Sequence, residues 1–228
     1  MRQWLLQPPS ADDLIRLLTA WRLWLVSAIV GATLGAGVYS AAPPPYRAQA
    51  TVVVDQNLEQ AYPTQPDREV FYYLARETLK LEEVAFSDDV IEAVSEQVPG
   101  FSVADLRGGK LKLGQPGDGP WHFWAEDPNP QKAQALAEAW ARAFAKYAHQ
   151  AVDAARALST PPTAAADPTL EAQAKGVSAY IAVSVSEGQR LPVERAANMG
   201  VYIFMGSVAA AVLAALGVLF SYGEKHAS

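Results

Sequence analysis

Two long apolar segments, one near each end of the chain, dominate the pattern of hydrophobic and polar positions. Leu23–Ala42 and Met199–Tyr222 contain no charged residue. Each is long enough to cross the roughly 30 Å hydrocarbon layer of a bilayer as a helix. A buried core helix seldom lacks charge over so many positions, and a signal peptide explains only the first segment, where Val38–Ala42 loosely matches a cleavage site. The pair therefore predicts two uncleaved membrane helices.

Gly31 and Gly35 form a GxxxG spacing in the first apolar segment. Small residues four apart allow two helix backbones to approach closely in lipid, although glycine is also common in membrane helices generally. These glycines are the candidate membrane-helix packing residues.

Arg2, Arg16 and Arg22 precede the first apolar segment and Lys225 follows the second, which favours both termini on the cytoplasmic side. The bias is slight, because Arg47, Arg190 and Arg195 lie near the two segments on the middle side. The chain is then predicted to have five parts. They are a cytoplasmic amphipathic helix (1–22), a first transmembrane helix (23–42), an extracytoplasmic domain (43–198), a second transmembrane helix (199–222) and a cytoplasmic tail (223–228).

Residue patterns predict an α+β fold for the central domain, with about four strands and one long helix. Ala50, Val52 and Val54 alternate with polar residues, as in a half-buried strand. A hairpin is predicted at 110–124, and strict alternation predicts a last strand at 177–185. The long helix covers about 131–157, and a proline-rich stretch cuts it short. An earlier helix is predicted because the following residues recur at helical spacing: Phe71, Leu74, Thr78, Leu81 and Ala85.

The chain passes from the first apolar segment to the first strand through Pro43–Pro45. Proline cannot extend a regular helix, so this run ends the span and stiffens the exit. If the first and last strands are neighbours in one sheet, the domain is seated on its two membrane helices. The candidate juxtamembrane residues are Pro45, Tyr46, Pro192 and Arg195.

Charge and composition exclude some partners and offer little catalytic chemistry. Residues 43–198 carry 14 basic and 21 acidic residues, a net charge of −7, which argues against nucleic acid as a partner. The chain has no cysteine, so a disulfide framework is excluded and the redox compartment is left open. His122, His149 and His226 have no carboxylate at metal-ligand spacing. We expect no cofactor, no metal and no enzymatic activity.

The order of elements resembles the Wzz-type chain-length-determinant family, the polysaccharide co-polymerases. The resemblance rests on "ADDLIRLLTAWRLWLV" before and into the first span, "PYRAQATVVVD" after it, "VADLRGGKLKL", and "DPNPQKAQALAEAWARAFAKY" at the long helix. It covers nearly the whole chain in order. Two features depart from the family. The long helix is not extended into a tall arm, and the proline-rich stretch before the second span is reduced to Pro192.

The resemblance implies a homo-oligomer, with a ring as the expected form, in a bacterial inner membrane. Its domains would project outside the membrane and work beside a polysaccharide polymerase or exporter. On this view the apolar face of the long helix is where subunit contacts are expected, as is the face with Gly31 and Gly35. The candidate interface residues on the long helix are Leu136, Trp140, Phe144 and Tyr147.

Three functions remain open at this point. The first is a co-polymerase that assists assembly, chain-length control or export of a surface polysaccharide. The second is a membrane adaptor that activates a separate tyrosine kinase through its cytoplasmic ends. The third is a structural ring or scaffold without a role in polysaccharide, which the short arm favours.

Overall fold

The computed structural model describes Ile15 and residues 19–61, 67–114, 119–159, 168–186 and 193–223. Most of the expected amphipathic helix at 1–22 lies outside these residues, as do Pro192 and the tail beyond Gly223. The chain divides into two compact units. One consists of Met1–Pro44 with Ala197–Ser228, and the other is Pro45–Ala196.

The elements are as follows in the described residues. The helices are α1 (Trp21–Ala41), α2 (Leu58–Ala61), α3 (Asp67–Ala85), α4 (Asp88–Gln97), α5 (Val103–Asp105), α6 (Pro130–Ser159), α7 (Pro168–Ala174) and α8 (Met199–Gly223), and a π-helical turn covers Leu106–Lys110. The strands are β1 (Tyr46–Asp55), β2 (Leu111–Gly114), β3 (Gly119–Asp127), β4 (Ala182–Val185) and β5 (Glu194–Arg195).

The first unit is a pair of apolar helices, α1 and α8, that pack along each other. Both are long enough and apolar enough to cross a membrane. Their large side chains point outward: Leu34 is 65% exposed and Leu213 is 69% exposed. A core helix of a soluble protein buries such side chains, so the exposure contradicts a core role within this chain.

The second unit is an α+β domain built on an antiparallel sheet, as predicted. The strand order is β2-β3-β1-β4, and the two-residue β5 also pairs with β1. Val52 on β1 lies opposite Trp121 of β3 on one side and Val185 of β4 on the other. The predicted pairing of the first strand with the strand placed at 177–185 is therefore confirmed, and β5, which was not predicted, also pairs with β1.

The core of this unit lies between one face of the sheet and helix α6. Successive side chains of a strand point to opposite faces, so Trp121 and Phe123 of β3 both lie on this face, where they are fully buried. The ring of Phe123 meets Trp140 edge to face at 4.8 Å, and Trp121 stacks on Phe144 at 5.7 Å between centroids. Such aromatic pairs contribute about 0.5–1.5 kcal/mol each beyond their buried area.

Helix α6 also contacts α3, α4 and α7. The indole N–H of Trp140 donates to the carbonyl oxygen of Ala85, at the end of α3, at 2.8 Å. This bond satisfies the polar edge of a fully buried tryptophan. Alanines line much of α6, and their small side chains let neighbouring helices approach it on several sides.

Two predicted patterns are corrected by the structure. The strand predicted at 177–185 is regular only over Ala182–Val185, because the preceding residues form turns. Lys175 and Gly176, with φ of 48° and 68°, are left-handed and end α7 just before this region. On α3, Leu81 and Ala85 are buried as their spacing indicated, but Phe71 is 68% exposed.

Candidate functional site

The two apolar helices cross most closely at glycines. Gly31 and Gly35 of α1 are buried against α8. A β-carbon on Gly31 would overlap the carbonyl oxygen of Gly206, and one on Gly35 would overlap that of Tyr202. The relation is reciprocal, since a β-carbon on Gly206 would overlap the carbonyl oxygen of Gly31. Close backbone approach of this kind is what small residues provide in helix pairs.

The glycine face of α1 thus packs within one chain, and it is not free for the contact with a neighbouring subunit that the sequence suggested. Sequence reasoning missed the partner glycine, Gly206. A signal for it exists, because Gly206 and Ala210 have the small-xxx-small spacing in the second apolar segment.

The two ends of the central unit are joined by what we call the terminal clasp, formed by Pro45, Tyr46, Arg195 and Ala196. Tyr46 pairs with Arg195 across β1 and β5. The Arg195 guanidinium lies 4.4 Å from the centroid of the Tyr46 ring, and the Ala196 N–H donates to the Pro45 carbonyl at 2.9 Å. Three of the four predicted juxtamembrane residues therefore meet, and the fourth, Pro192, lies outside the described residues.

The predicted interface residues of the long helix are corrected. Leu136, Trp140 and Phe144 are fully buried in the core of their own chain, so they are unavailable to a neighbouring copy. Tyr147 is half-buried and packs against the same core. The apolar spacing correctly marked a packed face, but the sheet covers it.

The outer face of the sheet, opposite α6, carries a charged group of three residues. Arg47 and Lys112 both donate to the carboxylate of Glu126, at 2.6 and 3.0 Å. Burial by itself would raise the pKa of Glu126, but the hydrogen bonds and positive charges of Arg47 and Lys112 outweigh it and hold that pKa below its ordinary value.

Polar side chains and one tryptophan continue this outer face. Gln49 lies 2.7 Å and Thr51 3.3 Å from Nδ1 of His122, whose ring stacks beside Trp124. The Trp124 ring lies across Gly114 on β2, where a β-carbon would clash with it. Within the described ranges, no group of three or more histidines and carboxylates is placed to hold a metal ion.

A buried carboxylate, Glu77 of α3, is a structural residue that sequence reasoning missed. Its side chain is 1% exposed and accepts bonds from Lys80 Nζ and the Ser178 backbone N–H, both at 2.9 Å. Lys80 also donates to the Gly176 carbonyl. Glu77 thereby ties α3 to the turns after α7. The sequence does contain a signal for this buried carboxylate, because Glu77 lies four residues from Tyr73 and four from Leu81, on an otherwise apolar side of the helix.

No protein-family model matches the chain, and no curated protein matches its sequence.

Proposed function

We propose that the protein is a two-span membrane protein whose central domain lies outside a bacterial inner membrane, with both termini in the cytoplasm. In this proposal it works as a non-enzymatic homo-oligomer that assists assembly, chain-length control or export of a surface polysaccharide. Its direct partners would be other copies of itself, the bilayer and a polysaccharide polymerase or exporter.

One observation carries the membrane part of the proposal. The first and last strands of the central domain are neighbours, so the chain enters that domain at Tyr46 and leaves it at the paired Arg195. Apolar helices precede and follow these two points in the sequence. A two-span anchor needs this arrangement, because both connections to the bilayer must start from one side of the domain.

The surfaces of α1 and α8 support membrane insertion energetically. Apolar side chains such as Leu34, Phe204 and Leu213 are 65–69% exposed. Moving an apolar side chain of this size from water into an apolar environment is favourable by about 1.5–3 kcal/mol, and the lipid interior provides such an environment. The backbone hydrogen bonds of both helices are satisfied internally, as a lipid environment demands.

The polysaccharide part of the proposal rests on the resemblance to the Wzz-type family. Three of the four stretches fall on β1, on the segment from α5 to β2 and on the first part of α6, and the first stretch extends into the beginning of α1. They are therefore spread along the chain rather than gathered in one region. The test is to delete the gene and size the surface polysaccharide on a gel.

The expected result is an altered amount or chain-length distribution that the intact gene restores. An unchanged amount and distribution would contradict the polysaccharide role. If tyrosine phosphorylation of a separate kinase fell while the polysaccharide stayed the same, the adaptor function would replace the proposed one.

A further inference from the structure

Trp124 lies at the centre of the outer face of the sheet, the face opposite α6. In the pairing register, Lys112 of β2 lies opposite Trp124 on one side and Gln49 of β1 lies opposite it on the other. His122 and Glu126 are two residues away on β3, so they point to the same face. All four neighbours are polar, and Trp124 keeps part of its surface exposed. A large aromatic side chain among polar ones contributes nothing to the core and requires a separate explanation.

The indole ring of Trp124 is held in one orientation by its neighbours. A β-carbon on Gly114 would lie 2.6 Å from the ring, so the glycine leaves the space that the ring occupies. The His122 ring stacks beside the indole at 6.1 Å between centroids, and the Arg47 guanidinium lies 5.8 Å from its centroid. Arg47 is itself fixed by its ion pair with Glu126. The indole is therefore preorganised, which lowers the entropic cost of binding a ligand to it.

Gln49 and His122 offer hydrogen-bonding atoms beside this ring. The Gln49 side-chain amide lies 2.7 Å from Nδ1 of His122. If the amide N–H donates to Nδ1, the amide oxygen and the Nε2–H of His122 remain; if the amide oxygen accepts from Nδ1, an amide N–H and a bare Nε2 remain. Either arrangement leaves one donor and one acceptor that have no partner among the described residues. A sugar hydroxyl group both donates and accepts, so this pair of atoms matches it.

The chemistry of this face fits a sugar ring better than a protein or a nucleic acid. A pyranose has a face of C–H groups that can stack on an indole, and a rim of hydroxyl groups. The cores of protein interfaces are depleted of charged residues, whereas Arg47, Lys112 and Glu126 all lie next to Trp124. Nucleic acid is disfavoured by the net charge of −7 over residues 43–198.

We propose that the outer face of the sheet, centred on Trp124, binds a pyranose ring of the surface polysaccharide. The indole stacks on the C–H face of the sugar, and Gln49 and His122 bond to its hydroxyl groups. This inference rests on the proposed function, for which it names the ligand and the site. A single sugar ring binds weakly to an open face, but a repeating chain contacts several copies of a homo-oligomer at once, and such linked sites gain effective concentration.

Saturation-transfer NMR of the full-length protein tests this binding. The protein is purified in a detergent that has no sugar headgroup, so that the detergent does not compete for the site. The probe is a set of short oligosaccharides released from the surface polysaccharide of the cells that make the protein. We expect the ring C–H protons of one sugar face to receive saturation from the protein. Absence of transfer to these oligosaccharides from the folded protein would overturn the proposal.

Substitutions separate stacking on the indole from a structural role. Trp124→Ala is expected to weaken binding roughly tenfold, and Trp124→Phe, which keeps an aromatic ring, should recover most of the loss. Gln49→Ala leaves the indole in place and should weaken binding roughly fivefold. The matched control is Phe71→Ala, because Phe71 is 68% exposed on α3, outside the sheet, and its loss should leave binding unchanged. Near-ultraviolet circular dichroism of the buried tryptophans shows whether each variant is folded. Unchanged affinity in folded Trp124→Ala or Gln49→Ala would overturn the proposed site.

Three outcomes separate this inference from the proposed function. If gene deletion alters the polysaccharide but the oligosaccharides do not bind, the inference fails alone. If deletion leaves the polysaccharide unchanged while binding that depends on Trp124 persists, the proposed function fails and the sugar site stands. If Trp124→Ala lowers the mass of the detergent-purified oligomer and leaves sugar binding intact, the face contacts a neighbouring copy and the inference is overturned.

Discussion

The guanidinium of Arg195 lies over the ring of Tyr46, 4.4 Å from its centroid, and this contact joins the first and last strands of the central domain. Both residues are half-buried. A cation–π contact of this kind contributes about 0.5–1 kcal/mol at an exposed site and more where it is desolvated.

Loss of this contact should loosen the terminal clasp alone. With Arg195→Ala, we expect amide hydrogen exchange around Ala196 to become roughly two- to fivefold faster, because its bond to Pro45 opens more often. Exchange along the β1–β3 ladder should be unchanged. Mass spectrometry of the exchanged peptides measures both, and faster exchange throughout the sheet would contradict a local role.

Substitution at the glycine crossing should weaken the pairing of α1 and α8. Gly31→Leu adds a side chain where the backbone of α8 leaves no room, and we expect a loss of about 1–3 kcal/mol in the unfolding free energy. Gly37→Leu is the matched control, because a β-carbon there meets no atom within 4 Å. Unfolding of the purified protein in detergent compares the two, and equal losses would contradict the close crossing.

Removal of the buried carboxylate should destabilise the central domain. Glu77→Ala leaves the Ser178 N–H without its acceptor and removes the carboxylate that pairs with the Lys80 ammonium, and we expect a cost of roughly 1.5–3 kcal/mol. The control is Glu92→Ala, at an exposed position on α4, which should cost little. Thermal unfolding followed by tryptophan fluorescence tests this difference, and similar midpoints for the two variants would show that Glu77 is not needed.

The charged group on the outer sheet face should make stability depend on pH. The pKa of Glu126 is lower in the folded protein than its ordinary value, so its stabilising contribution is present above the ordinary glutamate range and is lost as the pH falls through the folded value. Glu126→Gln should therefore be less stable than the original at neutral pH, and the difference should shrink between about pH 5 and pH 3. A difference that stays constant over that interval would argue against the lowered pKa.

Much of the fold could be predicted because the order of apolar and polar residues is regular where burial of apolar side chains alone determines the structure. The two segments without charge became long exposed helices, and the alternation of Ala50, Val52 and Val54 with polar neighbours became a central strand. The hairpin before Asp127 followed from alternating lysines and leucines, a turn and an aromatic strand. In each case the local pattern and the final packing agree.

The remaining features depend on contacts that a local pattern does not contain. The alternation at 177–181 indicated a strand, but Glu77 holds the Ser178 backbone in a turn from a distant helix. The apolar spacing of Leu136, Trp140 and Phe144 showed that they are packed, and only the fold shows that the sheet covers them. Phe71 was placed on the packed face of α3 by its spacing, and the fold leaves it exposed.

Thiol labelling of spheroplasts tests the central claim, that both apolar helices span the membrane and the domain between them lies outside. Glu92→Cys marks the central domain and Ser228→Cys marks the C-terminal end, in a chain that otherwise lacks cysteine. With a membrane-impermeant maleimide on spheroplasts, Glu92→Cys should label at once and Ser228→Cys only after lysis. Protection of Glu92→Cys until lysis, or labelling of both without it, would contradict the account.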